Sequence, residues 1–589
     1  MPQRRLSLLV LVASAAALVV GMNRTPLWDE DEPRFAAIAR AMVETGDWVV
    51  PIYNDQLAVD KPVLMHWCMA AAMTVCGINE FACRLPSVLA TLATALALLR
   101  AGSRWRDPAT GALAAVAYVG CLLVAIESHA ATPDAILVAL TAWATLLAVE
   151  PFLPEPDAGR QGGAPRRLSA GRAIGVGLLA GLAVVCKGPI GFIGPLAVIG
   201  PWVVWMAWER RRSAAPGGRA PFLATLLSAT VEAVVGLRPL LLVAAALAAA
   251  APWYVAVAMR TGGEWTAGFF LVHNVGRFMA PMEKHGGGPL FHPLTMLVGF
   301  YPWSCFLPLA IVLAAWRVRR GTTDRRERAI LGLLLVWLAV WVGGFSAAAT
   351  KLPNYVLPAY PAAAFLVAIL GVGAARRATS TPGWDHPRWL ATGLACLALG
   401  GVATAATIVV VARYGLPGVE PAAVVGIVPI VAAVVAALLA RRNPQAAVAA
   451  FAAAALLFTA LAAGPVGQRL AAANPLPGFV RELQARAGGS TRIGTYLLAS
   501  PNVVFYSNGH VAQFAIEGAA AAGRFLHSGT DAVLLVPEDR HAEIAPTLPA
   551  GFGIVGRVRP AFRRHDVLAL GVLPEGAADR TATTRGTTR

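Results

Sequence analysis

The sequence carries little charge, and most of the charge it carries is basic. Only 14% of its 589 residues are Asp, Glu, Lys or Arg, whereas 57% are hydrophobic, and the mean hydropathy is +0.62. This composition excludes a soluble globular protein and predicts a polytopic α-helical membrane protein. The net charge of +17 does not indicate nucleic-acid binding, because the arginines lie in short segments between apolar runs, as orientation signals do.

Several kinds of chemistry have no motif in this chain. The seven cysteines lie mostly in apolar segments, and they form no Cys-x-x-Cys pair and no zinc-binding spacing. There is also no P-loop, no nucleotide-binding glycine fingerprint and no Ser-His-Asp signature. We therefore expect no nucleotide cofactor and no activated-nucleotide donor.

Apolar windows of spanning length occur about thirteen times along the chain. They lie at 6–22, 84–101, 109–126, 134–150, 173–186, 189–207, 239–259, 294–315, 329–348, 355–374, 389–411, 422–440 and 445–463. With the N-terminus in the cytoplasm, most loop arginines fall on the cytoplasmic side, as the positive-inside rule requires. The apolar segment 221–237 would break this pattern if it crossed, so we interpret it as a cytoplasmic interfacial segment.

Three regions are predicted. Residues 1–463 form the transmembrane region, whose extracytoplasmic loop at 23–83 carries juxtamembrane helices. Residues 480–573 have the pattern of a small α/β domain, and an odd number of spans places this domain in the periplasm. Residues 574–589, rich in Thr, Arg and Gly, have the composition of a disordered tail. The strand candidates of the α/β domain are 492–498, 502–507, 532–537, 553–558 and 567–572.

The chemically informative stretch runs from Trp28 to Lys61. Four consecutive acids, 29–32, precede Pro33, which suits the first turn of a helix, and acids suit the positive end of a helix. A helix is therefore predicted from Pro33 to about Thr45, with Gly46 ending it. Its apolar side chains share one face, and it is too short and too charged to cross a bilayer, so we expect it to lie on the membrane surface.

Carboxylates beside cations at one membrane face suit the transfer of a group from a lipid phosphate. Asp31 and Glu32 lie close in the chain to Arg34 and Lys61. A carboxylate can orient or deprotonate an acceptor, while a cation neutralises a leaving phosphate. The alternative interpretation of the acids is a helix cap without catalytic function.

Several motifs in one order resemble a known family. They are Asp31-Glu32-Pro33-Arg34-Phe35, Gly46-Asp47-Trp48, Asp60-Lys61-Pro62, Ala131-Thr132-Pro133-Asp134, Lys187-Gly188-Pro189, His273-Asn274 with Arg277-Phe278, and Lys351-Leu352-Pro353-Asn354-Tyr355. This set resembles the GT-C membrane glycosyltransferases of the protein-mannosyltransferase type, and within them the bacterial aminoarabinose transferases that modify lipid A. The resemblance covers about the first twelve spans.

The resemblance implies roles for individual residues. Asp31 matches the catalytic acid of the family, and Glu32 and Asp134 are further catalytic candidates. Asp60 and His273 match positions near a divalent metal, although the lipid A enzymes more often have Glu at the position of Asp60. The candidates for binding the donor phosphate are Arg34, Lys61, Lys187, Arg277, Lys351 and Tyr355.

Each of these residues also has an ordinary structural explanation. Asp134 can cap the helix that it begins, and Lys187 can be a snorkelling lysine at a span end. Lys351 and Tyr355 stand at a span entrance, where basic and aromatic anchors are common. His273 can be a surface histidine in the loop 260–293, because one His and one Asp make only half of a metal site.

The predicted function is the transfer of a sugar, with aminoarabinose as the sugar of the resembled enzymes, from a polyprenyl-phosphate carrier to a lipid A-like or other envelope acceptor. The predicted location is the bacterial inner membrane, with reaction on the periplasmic face and membrane lipids as the surroundings. One alternative is the same chemistry with a protein or glycan acceptor. Another is a transporter or flippase of lipid-linked sugars, but the charged residues gather at one face and not near the midplane.

Overall fold

The structure is a computed structural model. It describes residues 3–22, 25–28, 31–155, 166–214, 221–276, 279, 286–321, 324–376, 387–416, 418–486, 491–507, 509–561 and 563–572. Three sequence predictions fall outside these residues: the caps Asp29 and Glu30, the phosphate-binding candidate Arg277, and the disordered tail 574–589.

The N-terminal half consists of helices and one short β-hairpin. Its elements are α1 (Gln3–Val19), α2 (Asp31–Thr45), β1 (Ile52–Tyr53), β2 (Gln56–Leu57), α3 (Leu64–Cys76), α4 (Glu80–Trp105), α5 (Pro108–Val119), α6 (Leu122–Ser128), α7 (Asp134–Val149), α8 (Ala170–Lys187), α9 (Ile190–Ala214), α10 (Phe222–Leu237), α11 (Pro239–Arg260) and α12 (Glu264–Ala267), followed by a π-helical segment (Gly268–Gly276). The helices continue with α13 (Phe291–Gly299), α14 (Leu307–Arg320), α15 (Arg325–Ala347), α16 (Tyr360–Ala375), α17 (Pro387–Tyr414), α18 (Ile427–Ala440), α19 (Pro444–Leu461), α20 (Gly467–Ala472) and α21 (Leu476–Arg486).

The helical membrane fold is confirmed, with fewer spanning helices than the sequence predicts. Among the described residues, ten helices are long and apolar enough to cross a bilayer, and the pair α5–α6, bent by 67°, would make eleven. The predicted span 6–22 corresponds to α1, which has 17 residues. The predicted span 294–315 is broken into α13 and α14 around Pro302, because a proline lacks the N–H that a continuous helix needs.

Close helix packing requires glycine between α8 and α11. A Cβ on Gly177 would lie 2.3 Å from the carbonyl oxygen of Leu242, and one on Gly181 would lie 2.4 Å from that of Ala246. Small residues four apart on one helix let the two backbones approach, which is a common packing mode inside membranes.

The charged ends of the helices sort into two groups. Glu150 at the end of α7 pairs with Arg104 of α4 and Arg172 of α8, each at 2.9 Å. Glu327 of α15 pairs with Arg106 at 3.3 Å. These contacts lie at one end of the bundle and involve many of the arginines that the sequence assigns to the cytoplasm. Asp31 and Asp134, at the starts of α2 and α7, stand at the other end.

Helix α2 begins and ends close to the predicted positions, but its surroundings differ from the prediction. It runs from Asp31 to Thr45, and Gly46 ends it with a φ of +74°. Residues 35–39 are all buried, although one exposed face was expected. The second face is covered by the C-terminal domain, since Arg40 Nη1 donates to the carbonyl oxygen of Phe505 at 3.2 Å. Helix α2 is therefore packed between two protein layers and does not lie freely on a bilayer.

The C-terminal region is a small α/β domain, as predicted. Its elements are β3 (Arg492–Tyr496), α22 (Pro501–Tyr506), β4 (Ala512–Phe514), α23 (Ala519–His527), β5 (Ala532–Pro537), α24 (His541–Ile544), β6 (Phe552–Val558) and β7 (Val567–Val572). The sheet has the order β4-β3-β5-β7-β6, with β3 parallel to β4 and β5, and β7 antiparallel to β5 and β6.

One strand prediction in this domain is wrong. Residues 502–507 combine β-branched and aromatic side chains, which favours a strand, yet Pro501–Tyr506 is a helix. Pro501 stands at the first helical position, where its fixed φ favours a helix. The segment is buried in a hydrophobic cluster that also contains Phe35 of α2 and Met69 of α3. The domain thus shares a core with the juxtamembrane helices.

Candidate functional site

A cavity of about 730 Å³ lies where the juxtamembrane helices, the ends of several membrane helices and the C-terminal domain meet. Eight of the ten predicted site residues that the structure describes border it. The lining side chains that carry polar groups are Asp31, Arg34, Tyr53, Asp60, Lys61, Thr132, Asp134, Lys187, His273, Thr350, Asn354, Tyr355, Ser500 and Gln513. The cavity is therefore the candidate active site.

The first wall of the cavity comes from α2 and the segment that precedes α3. Asp31 is exposed at the first position of α2, and Arg34 lies one turn later. The guanidinium of Arg34 is 3.4 Å from the Asp60 carboxylate and 5.5 Å from the centre of the Tyr53 ring. Lys61 Nζ donates to the carbonyl oxygen of Asp60 at 3.3 Å. Two cations and two carboxylates thus stand on one side of the cavity.

The charge state of Asp60 follows from these neighbours. Burial raises the pKa of its carboxyl group, but Lys61 and then Arg34 lower it by more, so the net pKa lies below the ordinary value. Asp60 is therefore ionised at neutral pH. Its negative charge offsets one of the two cations of this wall.

A second wall of the cavity holds another ion pair. Lys187, the last residue of α8, has its Nζ 2.5 Å from Asp134 Oδ1. Asn354 Nδ2 donates to Asp134 Oδ2 at 3.2 Å, and Lys187 also lies 5.3 Å from the centre of the Tyr355 ring. Both oxygens of Asp134 are engaged, so this carboxylate is fixed in orientation. Asp134 and Lys187 both line the cavity, so they stay candidates for the site.

Glu32 is the one described catalytic candidate that the structure keeps away from the cavity. It is 4% exposed, and its carboxylate accepts from Arg84 Nε at 3.1 Å and Arg84 Nη2 at 2.9 Å. It also accepts from the backbone N–H groups of Ala131 at 2.7 Å and Trp28 at 2.6 Å. These contacts tie the start of α2 to α4 and to the loop that carries Asp134. The geometry gives Glu32 a positioning role.

The structure also turns Lys351 away from the cavity. Its side chain is buried, and Nζ donates to the carbonyl oxygens of Ser346 at 2.6 Å and Phe345 at 3.2 Å. These are carbonyls at the C-terminal end of α15, where a cation is favourable. Lys351 thus stabilises a helix end, and its predicted contact with the donor phosphate has no support in this geometry.

The predicted metal ligands Asp60 and His273 both line the cavity. Within the described residues, no group of three His, Cys, Asp or Glu side chains could hold a metal ion. Asp60 has Arg34 and Lys61 as neighbours, which is a poor environment for a cation. These residues do not fit a resident metal as they stand, so a metal stays a prediction of the resemblance and no step below depends on one.

Several residues of the site were not singled out from the sequence. In the sequence, Asn354 stands out only as part of a motif. Nothing in the pattern around Tyr53 indicates a site residue. Arg84 had a usable signal, because an arginine inside an apolar span is costly and therefore functional or paired. The contribution of Ser500 and Gln513 depends on how the domains dock, which the sequence pattern does not contain.

Comparison with known proteins decides the family. Over 418 residues the chain is 30% identical to the undecaprenyl phosphate-alpha-4-amino-4-deoxy-L-arabinose arabinosyl transferase of Erwinia tasmaniensis, a match covering 71% of this chain and 67% of that protein. The chain belongs to this transferase family. The enzyme of the same name from Pseudomonas aeruginosa PAO1 is 30% identical over 363 residues, which are 61% of this chain and 58% of that protein. The alignments thus span about three fifths to two thirds of these arabinosyl transferases.

Two further comparisons agree with membership of the arabinosyl transferase family. Residues 60–236 match the family model described as dolichyl-phosphate-mannose-protein mannosyltransferase. The fold is similar to the crystal structures of ArnT from Cupriavidus metallidurans, in the apo state and bound to undecaprenyl phosphate. For each structure the TM-score is 0.73 at 20% identity, over 96% of this chain and 97% of ArnT. The motif-based prediction of a GT-C membrane glycosyltransferase is confirmed at the level of family and fold.

Proposed function

We propose that this protein transfers 4-amino-4-deoxy-L-arabinose from undecaprenyl phosphate to a lipid A-like acceptor, inside the cavity described above. The observation that carries the proposal is the pairing of two walls, one with Asp31, Arg34 and Lys61 and the other with Asp134 and Lys187. The names of the relatives supply the donor and the sugar. The lipid A-like acceptor comes from the resemblance of the motifs.

The cations of the first wall suit the leaving group. When the bond between the anomeric carbon and the phosphate oxygen breaks, negative charge builds up on the undecaprenyl phosphate. Arg34 and Lys61 line the cavity next to each other and can neutralise that charge. The polyprenyl tail of the donor would then lie among the membrane helices, while the sugar phosphate stays at the bundle end.

Asp31 suits the acceptor. It lines the cavity at an exposed position at the start of α2. Both oxygens of Asp134 are held by Lys187 and Asn354, which makes Asp134 less suited to accept a proton. If the acceptor is a hydroxyl, Asp31 takes its proton as the oxygen attacks the anomeric carbon. If the acceptor is a phosphate, which is already ionised at pH 7, Asp31 only orients it. Attack from the side opposite the leaving phosphate inverts the anomeric centre in a single step.

The two groups of charged helix ends support a proposed orientation in the membrane. The arginine-rich end, with Arg104, Arg172 and Arg326, would face the cytoplasm by the positive-inside rule. The cavity and the C-terminal domain would then lie in the periplasm of the inner membrane. If this orientation is right, a reporter that is active only outside the cytoplasm should be active when it is fused after Pro574. A reporter active only in the cytoplasm would place the cavity on the wrong side.

The proposal is tested by reconstitution. Purified protein is incubated with labelled undecaprenyl-phosphate aminoarabinose and with lipid A, a protein acceptor or a glycan in separate reactions. We expect label on lipid A, and label on the protein or glycan instead would select the alternative acceptor class. Donor movement across a vesicle membrane without transfer to any acceptor would favour the flippase. The charged groups argue against the flippase, because the cavity residues stand at helix ends and transport sites lie near the midplane.

A further inference from the structure

The turn between β6 and β7 carries an unusual concentration of positive charge. Residues 557–566 contain four arginines, one histidine and a single acid, Asp566. Asp566 forms ion pairs with neighbouring arginines, since Arg559 Nε lies 2.6 Å and Arg557 Nη1 lies 3.7 Å from its carboxylate. Glu538 pairs with Arg557 as well, at 3.0 Å. Within the described residues, Arg563 and Arg564 form no ion pair, and both are exposed.

The position of this turn is fixed against the membrane region. The backbone N–H of Ala561 points to Asn474 Oδ1 at 3.5 Å, two residues beyond the last spanning helix, Pro444–Ala472. Ala561 also packs against the hydrophobic core of the membrane helices. As a helix, the stretch Pro444–Ala472 of 29 residues is about 43 Å long, which matches a bilayer with its head-group layers, so the turn stands at the level of the lipid head groups. An arginine at that level can extend its guanidinium to a phosphate.

The turn is far from the cavity. Gln513, which borders the cavity, belongs to β4 at one edge of the sheet, and β6 forms the other edge. Four strand spacings separate the two edges, which is about 19 Å. A phosphate bound by Arg563 and Arg564 is therefore neither the donor phosphate nor the acceptor in the active site.

We propose that the β6–β7 turn is a lipid-binding element, in which Arg563 and Arg564 bind the phosphates of anionic lipids at the bilayer surface. Guanidinium groups suit phosphates because of their planar array of donors. The turn would hold the far edge of the sheet on the membrane, while the near edge borders the cavity. The proposal does not rest on the transferase activity, because its test measures no transfer.

The test uses the full chain in nanodiscs of phosphatidylcholine alone or with about one third phosphatidylglycerol. Hydrogen exchange of the amides in 559–566 is compared between the two. We expect exchange in the anionic nanodiscs to be slower, by roughly fivefold for each arginine engaged. The double substitution R563Q/R564Q should remove this difference. R524E is the matched control, because it also lowers the net charge by two at an exposed arginine of the same domain, and it should keep the difference.

Three results would overturn the proposal. One is equal exchange of 559–566 in both nanodiscs for the unmodified chain. Another is loss of the difference in R524E as well, which would mean a general effect of charge. The third is equal slowing in phosphatidylcholine nanodiscs after addition of inorganic phosphate, which would indicate a site for a soluble anion in place of a lipid.

Discussion

The two adjacent carboxylates at the start of α2 have different surroundings, so their substitution should have different effects. Asp31 is exposed in the cavity, and its replacement by Asn should lower kcat about 10²–10⁴-fold with a hydroxyl acceptor, because proton transfer is lost. With a phosphate acceptor the loss should be smaller. Thermal stability should stay within about 0.5 kcal/mol of the unmodified protein, since Asp31 is exposed. Turnover and the unfolding midpoint are measured on the same preparation.

Glu32→Gln should lower the stability of the protein more than its catalytic activity. It leaves Arg84, which is 3% exposed, with a neutral partner, and breaking such a buried pair typically costs about 3–5 kcal/mol. We therefore expect a clearly lower unfolding midpoint, and a loss of activity that follows the loss of folded protein. A Glu32→Gln protein that is as stable as the unmodified one but inactive would restore Glu32 to the catalytic group.

His66 makes stability depend on pH. Burial lowers the pKa of its ring to about 4, against the opposing effect of Asp60. Because an unfolded histidine has a pKa near 6.5, the unfolded chain binds more protons between these values, and stability falls as the pH is lowered through this window. Between pH 7 and pH 5 the loss should be about 2 kcal/mol.

The measurement for His66 is the thermal unfolding midpoint in detergent at both pH values. His66→Leu should flatten this pH dependence, because leucine keeps the apolar contact with Phe35 and does not titrate. An unchanged slope in that variant would mean that another group titrates in this range.

At the scale of elements, the β1–β2 hairpin couples the site to the C-terminal domain. Asn54 and Asp55 form its turn with φ of +48° and +65°. The Asn54 amide donates to the carbonyl oxygen of Val511 and accepts from its N–H, both at 2.9 Å. The preceding residue, Tyr53, stacks over Arg34 in the cavity. Movement of the domain should therefore shift Arg34, the cation that we propose to bind the donor phosphate.

Asn54→Gly tests this coupling, because glycine keeps the left-handed turn and removes only the side chain. The loss of two hydrogen bonds, at roughly 0.5–1.5 kcal/mol each, should raise the exchange rate of the Val511 amide by about 5- to 100-fold. Asp55→Gly, at the next position, removes only an exposed contact with His510 at 2.6 Å and keeps both hydrogen bonds of Asn54, so it should leave the Val511 amide better protected than Asn54→Gly does. Equal protection of Val511 in Asn54→Gly would show that the contact does not hold the domain.

The sequence predicts well those features that depend on neighbours in the chain. The start of α2 follows from its acids and Pro33, its end follows from Gly46, and the approach of Arg34 to Asp60 follows from a short connection. Side-chain direction is not predicted. Glu32 and Lys351 have the right charge and the right motif, but buried partners from distant segments turn them away from the cavity.

Docking between domains is the other feature that a local pattern does not contain. The cover over α2 and the helical state of Pro501–Tyr506 both arise from a core shared by distant segments. The same limit explains why Ser500 and Gln513 were not expected in the site. Apolar windows likewise reveal hydrophobic length, but not whether Pro302 will break a span into α13 and α14.

At the scale of the molecule, a C-terminal domain of this kind can cover the cavity or can be an appendage without contact to it. The structure supports the first interpretation, because Ser500 and Gln513 of the domain line the cavity. One hydrophobic cluster joins Phe505 of the domain to Phe35 of α2 and Met69 of α3. Truncation after residue 463 should therefore expose this core and lower the unfolding midpoint of the membrane part. A truncated protein that unfolds like the full chain would mean that the shared core contributes little.

A point substitution isolates the role of the domain in the reaction more cleanly than truncation does. Gln513 is exposed at the edge strand β4 and borders the cavity as part of the C-terminal domain, outside the membrane helices. Gln513→Ala should raise the KM for the acceptor about 2- to 12-fold, the effect of one lost hydrogen bond, while the KM for the donor and the unfolding midpoint stay unchanged. Arg524→Ala, an exposed substitution on α23 away from the lining residues, should change neither constant. If Gln513→Ala instead raised the KM for the donor, the domain would contact the sugar phosphate, and acceptor choice would have to lie with the juxtamembrane helices.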